Sequence, residues 1–348
     1  MLHLGKSMNK ARIRFLSLMI LALCKVQTVN FEKLATAFES TADRASSLRR
    51  IQRFIARYNL SMDIVARLIF ALLPQKPPYY LLIDRTNWKS GGFEINILML
   101  SIASKGTSIP ILFSLLPKGS SSQEHRIQLI GHYIRLFGKH SILKLIADRE
   151  FIGEPWLSFL WAEKIKYIIR MKDNSYAINC KNGKRIKIKS IFNRLPLGKT
   201  QYITQRFIVH GNYCYLSARR FTNRKGKGEL IVLISFEYEP HQMETYGMRW
   251  QIETMFKAFK SSGFNIEDTH LRKTQRFQKL LCIVMIAFTW AYITGIYCNK
   301  HIKQIRVIKH LRQAKSFFKY GLEFIAQAIM KPNKYTHFNI AVKILSCT

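Results

Sequence analysis

The chain has 348 residues, with 56 Lys and Arg against 20 Asp and Glu, a formal net charge of +36. Such an excess, spread along the chain rather than gathered in a tail, points to a polyanionic partner, with nucleic acid ahead of anionic membrane. Hydrophobic residues make up 48%, enough for real cores and against a disordered chain. The six cysteines show neither paired metal spacing nor a dense disulfide pattern and read as reduced cytosolic thiols, and the ten histidines form no cluster for structural zinc.

Residues 1–75 are expected to be a helical DNA-binding region. Phe15 to Cys24 mimics a signal peptide, but it runs into Lys25-Val26-Gln27 without a small-residue cleavage site and reads as a buried helix. Phe31 to Phe38 and Ser47 to Arg57 read as two further helices, with Glu39-Ser40-Thr41-Ala42-Asp43 as turn and cap. In the second, Leu48, Ile51 and Ile55 recur at helical spacing, while Arg49, Arg50, Arg53 and Arg57 take other faces. The pair is either a helix-turn-helix reader contacting DNA through Arg49, Arg50 and Arg53, or a solvated basic helix, and the net charge favours DNA.

Pro74 and Pro77-Pro78 mark a boundary, and residues 76–173 read as the first part of an α/β core. Tyr79 to Ile83 is an apolar strand ending in Asp84. Ile95 to Ala103 and Ile109 to Leu116 are two more, with Gly106 in the turn between them. Gln123 to Phe137 is a helix, Ile142 to Ala147 a buried strand ending in Asp148, then come a short helix after Pro155 and a strand at Tyr167 to Met171. Residues 174–240 are β-rich and basic, with alternating runs at Arg185 to Lys189, Tyr213 to Leu216 and Leu230 to Phe236, and read as an insertion of strands. Residues 241–300 return to the core with a long helix from His241. Within them Leu280 to Cys298 carries no charge, which suits a central core helix or a membrane anchor. Residues 301–348 are expected to be helical.

Two apolar strands thus each end in Asp-Arg, at Asp84-Arg85 and Asp148-Arg149. Carboxylates at the rim of a sheet sit where open α/β sheets place their ligands, and two that converge repel unless a cation lies between them. Each alone also serves as a turn residue. On the helix after His241, Met248, Ile252, Met255 and Phe259 form a stripe to bury, and Tyr246, Arg249, Glu253 and Lys260 fall within a neighbouring arc of roughly 60°. Glu253 would complete a three-carboxylate cage for Mg²⁺ or Mn²⁺, with Tyr246, Arg249 and Lys260 holding phosphate oxygens. By periodicity alone the same helix is an exposed one with i,i+4 ion pairs such as Arg249–Glu253.

The spacing Tyr246-(2)-Arg249-(3)-Glu253-(6)-Lys260 resembles the YREK signature of bacterial DDE transposases in the family named for insertion sequence four. Ile83 to Trp88 is similar to the block around that family's first aspartate, and Ala147 to Gly153 to the block around its second. The resemblance covers roughly residues 75 to 330 and implies a ribonuclease-H-like catalytic domain interrupted by a β-strand insertion. It implies two metal ions, Mg²⁺ or Mn²⁺, on Asp84, Asp148 and Glu253, driving in-line attack on phosphorus. It implies phosphate contacts by Tyr246, Arg249 and Lys260, and cut-and-paste transposition of an insertion sequence. The partners would be double-stranded DNA, as element ends and target, and a second copy of the chain in a synaptic homodimer. The setting would be the bacterial cytoplasm, at the nucleoid, with no membrane part. In some relatives an insertion-domain tryptophan stacks on a flipped base and aids hairpin formation. No tryptophan lies between Trp161 and Trp250, and the aromatics there (Tyr202, Phe207, Tyr213 and Phe221) also read as β-core residues. Two alternatives stay open: a catalytically silent DNA-binding protein derived from a transposase, and a nuclease of the same fold without strand transfer.

Overall fold

The structure is a computed structural model and describes residues 8–38, 42–90, 93–117, 119–223, 226–309, 312–330 and 335–346. Its centre is built from apolar runs too continuous for a sheet with one wet face. In β1 (Tyr79–Ser90), Leu81, Leu82 and Ile83 are all fully buried, as are Leu145, Ile146 and Ala147 in β4 (Ile142–Ala147) and Ile168 and Ile169 in β5 (Tyr167–Met171). β2 (Phe93–Ala103) and β3 (Ser108–Leu116) form a hairpin around Gly106, whose φ of 76° suits glycine. β1 runs antiparallel to β2 and parallel to β4, and β4 runs parallel to β5. The resulting order β3-β2-β1-β4-β5 is the ribonuclease-H-like arrangement.

Between β3 and β4 lies α5 (Gln123–Phe137), started by a capping box on Ser122 and closed by Gly138 at φ 78°. α6 (Glu154–Ala162) follows β4. The N-terminal helices are α1 (Lys10–Val26), α2 (Phe31–Thr36), α3 (Arg44–Arg57) and α4 (Met62–Ala71). They pack on the core: Thr28 donates to Asp268 at 2.7 Å, and His132 meets Asp63 at 2.7 Å. The Asp43 side chain caps α3 by accepting from the Ser46 N–H, while the expected turn residues Glu39, Ser40 and Thr41 lie outside the described residues.

The β-rich stretch contains β6 (Tyr176–Asn179), β7 (Arg185–Lys187), β8 (Thr200–Val209), β9 (Asn212–Thr222) and β10 (Gly228–Ser235). It forms no separate sheet. β10 pairs antiparallel with β5, so the ladder continues as β5-β10-β9-β8-β6-β7. The strand expected over Arg185 to Lys189 stops at Lys187. Ile188 is fully buried and starts the short helix α7 (Ile188–Ile191), since burying its side chain turns the chain off the ladder.

The helix expected from His241 to Lys260 is three pieces: α8 (Gln242–Tyr246), a 3-10 turn over Gly247–Arg249, and α9 (Trp250–Lys260). Its apolar stripe goes inward, with Ile252, Met255 and Phe259 fully buried. Beyond it runs α10 (Thr274–His301), whose every residue from Leu280 to Gly295 is buried. That burial accounts for the uncharged stretch as a core helix. α11 (Phe317–Met330) and α12 (Tyr335–Ser346) close the chain. The C-terminal region is not purely helical: β11 (Val307–Ile308) and β12 (Arg312–Gln313) form a small hairpin between α10 and α11.

Candidate active site

Parallel pairing of β1 and β4 sets Ile83 opposite Ala147, so the next residues, Asp84 and Asp148, emerge side by side. Only Asp148 lies past a strand end. β1 continues through Asp84 to Ser90, because β2 supplies it with partners as far as Phe93. Asp84 therefore projects from an unbroken strand with 15% of its side chain exposed, where a strand-end residue would be wetter.

The buried stripe of α9 brings the third acid to the other two. Arg249, at the end of the 3-10 turn and 5% exposed at its side chain, stands at the junction. Its Nη1 lies 3.4 Å from Asp84 Oδ2 and 4.0 Å from Asp148 Oδ2, and its Nη2 donates to Glu253 Oε1 at 2.7 Å. The Tyr246 hydroxyl donates to Asp148 Oδ1 at 3.2 Å. Lys260 lies farther along, its Nζ donating to the Asn87 carbonyl at 2.9 Å and standing 4.0 Å from Glu267. Trp88 is packed between Phe259 and Phe277, with ring centroids about 6 Å away on each side.

Electrostatics follow from this crowding. Burial pushes the Asp84 carboxyl up to about 7; the Arg85 N–H and Arg249 pull it down, and Glu150 and Asp148 push it further up. Burial pushes the Tyr246 phenol up, and the charge of Asp148 adds to that, so it stays a hydrogen-bond donor. Burial pulls Arg249 down, but Tyr246, Asp148 and Glu253 outweigh it and hold the guanidinium charged.

A second layer stands behind Asp84. Arg85 donates to Asn87, Asn96 and the Gly119 carbonyl, and its Nε lies 3.4 Å from Glu150 Oε1. Arg126, 4% exposed, is fixed by Ser121 and by the Phe151 ring 4.9 Å away. Sequence reasoning missed Glu150, Arg126 and Trp250. Glu150 lies within the stretch Ala147 to Gly153, two residues after Asp148. Trp250 is 60% exposed with the Arg249 guanidinium 4.5 Å over its ring; its only signal was its place beside Arg249.

The expected three-carboxylate cage is not closed. Among the described residues no three His, Cys, Asp or Glu side chains converge closely enough to hold an ion, because Arg249 takes the space between the acids. Tyr246 and Arg249 face the carboxylates rather than solvent. The donor set still fits a divalent cation. It is all oxygen, as Mg²⁺ and Mn²⁺ prefer, and Asp84 in its buried setting lacks enough positive partners to ionise at the usual pH. Buried Arg249 Nε has no hydrogen-bond partner among the described residues.

The candidate N-terminal contacts are elsewhere. Arg49, Arg50 and Arg53 are exposed on α3, and Arg50 rests 5.4 Å from the Phe15 ring centroid. Arg49 and Arg53 line a cleft of about 650 Å³ with Arg57, His270 and Arg276. Of the insertion aromatics, Phe207 is core at 3% exposed, Tyr202 donates to Glu244, and Tyr213 stands edge-on to Trp161.

Fold and site together define a class: ribonuclease-H-like proteins with acidic side chains on adjoining central strands, met by a third acid from a later helix. Residues 76–290 match the family described as transposase DDE domain, and the chain belongs to that family. No curated protein matches the chain significantly. Among solved structures, it is similar to a piggyBac transposase in a cryo-electron-microscopy synaptic complex with hairpin DNA. That likeness has a TM-score of 0.48 and 14% identity, and covers 97% of this chain and 76% of that one.

Proposed function

We propose that this DDE transposase moves an insertion sequence by cut and paste, with Asp84, Asp148 and Glu253 as the carboxylates that direct cleavage and strand transfer. The observation that carries this is the single guanidinium of Arg249 within 4.0 Å of all three acids, which come from positions far apart in the chain. One positive group now balances them, at the junction between the 3-10 turn and α9.

The three carboxylates would hold Mg²⁺ or Mn²⁺, a pair of ions in the reading offered, which would activate the attacking oxygen and stabilise the leaving one. The chain's own residues do the rest. Arg249, released from the acids, would present its two nitrogens to a phosphate of the bound strand, as guanidinium suits. Tyr246, kept protonated by its surroundings, holds Asp148 in place and can donate to a phosphate oxygen. Lys260 marks where the strand leaves along the far end of β1. The partners would be double-stranded DNA and a second copy of the chain, in a bacterial cytoplasm and without a membrane part. Arg49, Arg50 and Arg53 would add contacts distant from the cut.

Asp84→Ala, Asp148→Ala and Glu253→Ala should each drop Mg²⁺-dependent nicking and joining of an end-bearing duplex to background, with end binding kept within a few-fold. A variant that cuts normally would remove its residue from the site. Cutting without joining by the wild-type chain would leave a nuclease.

A further inference from the structure

The link between α10 and α11, residues 302–316, holds Lys303, Arg306, Lys309, His310, Arg312 and Lys315, and no acid. It folds as the β11–β12 ribbon, with Val307 opposite Gln313 and Ile308 opposite Arg312. The base is fastened: Ala314 N–H donates to Arg306 O at 2.9 Å, Ile305 N–H to Asn299 Oδ1 at 2.7 Å, and Tyr320 OH to Lys303 O at 3.0 Å. Beyond the base it faces outward. Val307 is 57% exposed and Ile308 46%. Among the described residues, Lys315 pairs with Glu323, while the side chains of Lys303, Arg306, Lys309 and Arg312 have no ion-pair partner.

A two-stranded ribbon is at best marginal alone, and among the described residues its Val307 and Ile308 side chains stay exposed. Arg306 precedes and Lys309 follows the exposed Val307-Ile308 strand, and Arg312 stands across from Ile308. That shape and charge match B-DNA, whose major groove admits a two-stranded ribbon and whose phosphates flank it on either side. The ribbon follows the C-terminal end of α10, whereas it is Phe277, near the start of α10, that touches Trp88 on β1.

We propose that the β11–β12 ribbon is a second duplex-DNA contact, seated in the major groove away from the cleavage point, with Arg306 and Arg312 on phosphates or guanine edges. This rests on the transposase reading, since it needs a duplex held by the same chain. Its effect falls on binding and not on chemistry.

The test is the full-length Arg306→Ala/Arg312→Ala chain, titrated onto a fluorescent end-bearing duplex at several salt concentrations. Affinity should fall roughly tenfold or more and the slope of log affinity against log salt should drop by about two, at about 0.9 per phosphate. Guanine N7 protection from dimethyl sulfate should be lost at one patch, while cleavage at saturating protein stays unchanged. The Arg306→Lys/Arg312→Lys chain should keep the slope. An unchanged slope and footprint in the alanine chain overturns the proposal, as does loss of slope in the lysine chain, which marks a structural effect. Unchanged DNA binding with a change in sedimentation from dimer to monomer also overturns it and makes the ribbon a contact between copies. A wild-type chain that binds no duplex sinks the transposase reading instead.

Discussion

Asp84 is the residue on which the site's energetics turn. Its carboxyl is buried and titrates near 7 rather than near 4, so the folded chain binds a proton more tightly than the unfolded chain does. Between those two values the folded state holds more protons, and stability falls as pH rises through the window, then stays low above it. Asp84→Asn has no such charge to bury. Without metal, its stability should gain on the wild type as pH rises from about 4 to about 7 and level off above, by on the order of 4 kcal/mol. Chemical denaturation across that pH range in a chelator checks this, and a gap independent of pH rejects it. Residue identity was legible here: the two Asp-Arg pairs and the spacing of Tyr246, Arg249, Glu253 and Lys260 could be picked out unaided. Of their contacts, spacing offered only the i,i+4 pair Arg249–Glu253; the approach of Arg249 to the two aspartates and of Tyr246 to Asp148 was not legible. Arg249 lies with the aspartates because the helix that carries it packs its buried stripe beside β1 and β4, and a helical wheel holds no such relation between distant segments.

At the scale of elements, α10 and α11 meet backbone to backbone at two glycines. A Cβ on Gly321 would stand 1.8 Å from the Ala291 carbonyl oxygen, and one on Gly295 would stand 1.8 Å from that of Phe317. The two backbones meet with no room for a methyl group. Gly321→Ala should therefore force the helices apart and lower stability by about 2–3 kcal/mol or more, beyond any gain in helix propensity. Thermal or denaturant unfolding measures it; a neutral or stabilising substitution would show that the helices do not touch there. Strand and helix positions were the most legible part of the sequence. Gln123–Phe137, Ile142–Ala147 and Tyr167–Met171 came out residue for residue, because each is a clean period bounded by turn or cap residues. The β11–β12 ribbon was missed, because two-residue strands with exposed side chains leave no periodic trace.

For the whole molecule, the opposing signals were a membrane-length apolar helix and a charge of +36. The fold encloses the first and leaves the second outside. After cell lysis the chain should accordingly leave the pellet with high salt alone, along with nucleic acid. A requirement for detergent would mean that α10 is not held in the core. The N-terminal helices, expected as a region apart, rest on the same core through Thr28–Asp268 and Asp63–His132, so the basic face of α3 keeps a fixed bearing on the rest of the chain.

The sequence by itself determined the cationic character and the chain positions of the core strands and helices, because these rest on composition and local period. Tertiary structure alone decided the rest. Parallel pairing of β1 with β4 set the two aspartates side by side, and the inward stripe of α9 delivered Glu253. The open edge of β5 merged the insertion into one continuous sheet. Register, edge and inward turn are relations between segments distant along the chain, and no local pattern encodes them.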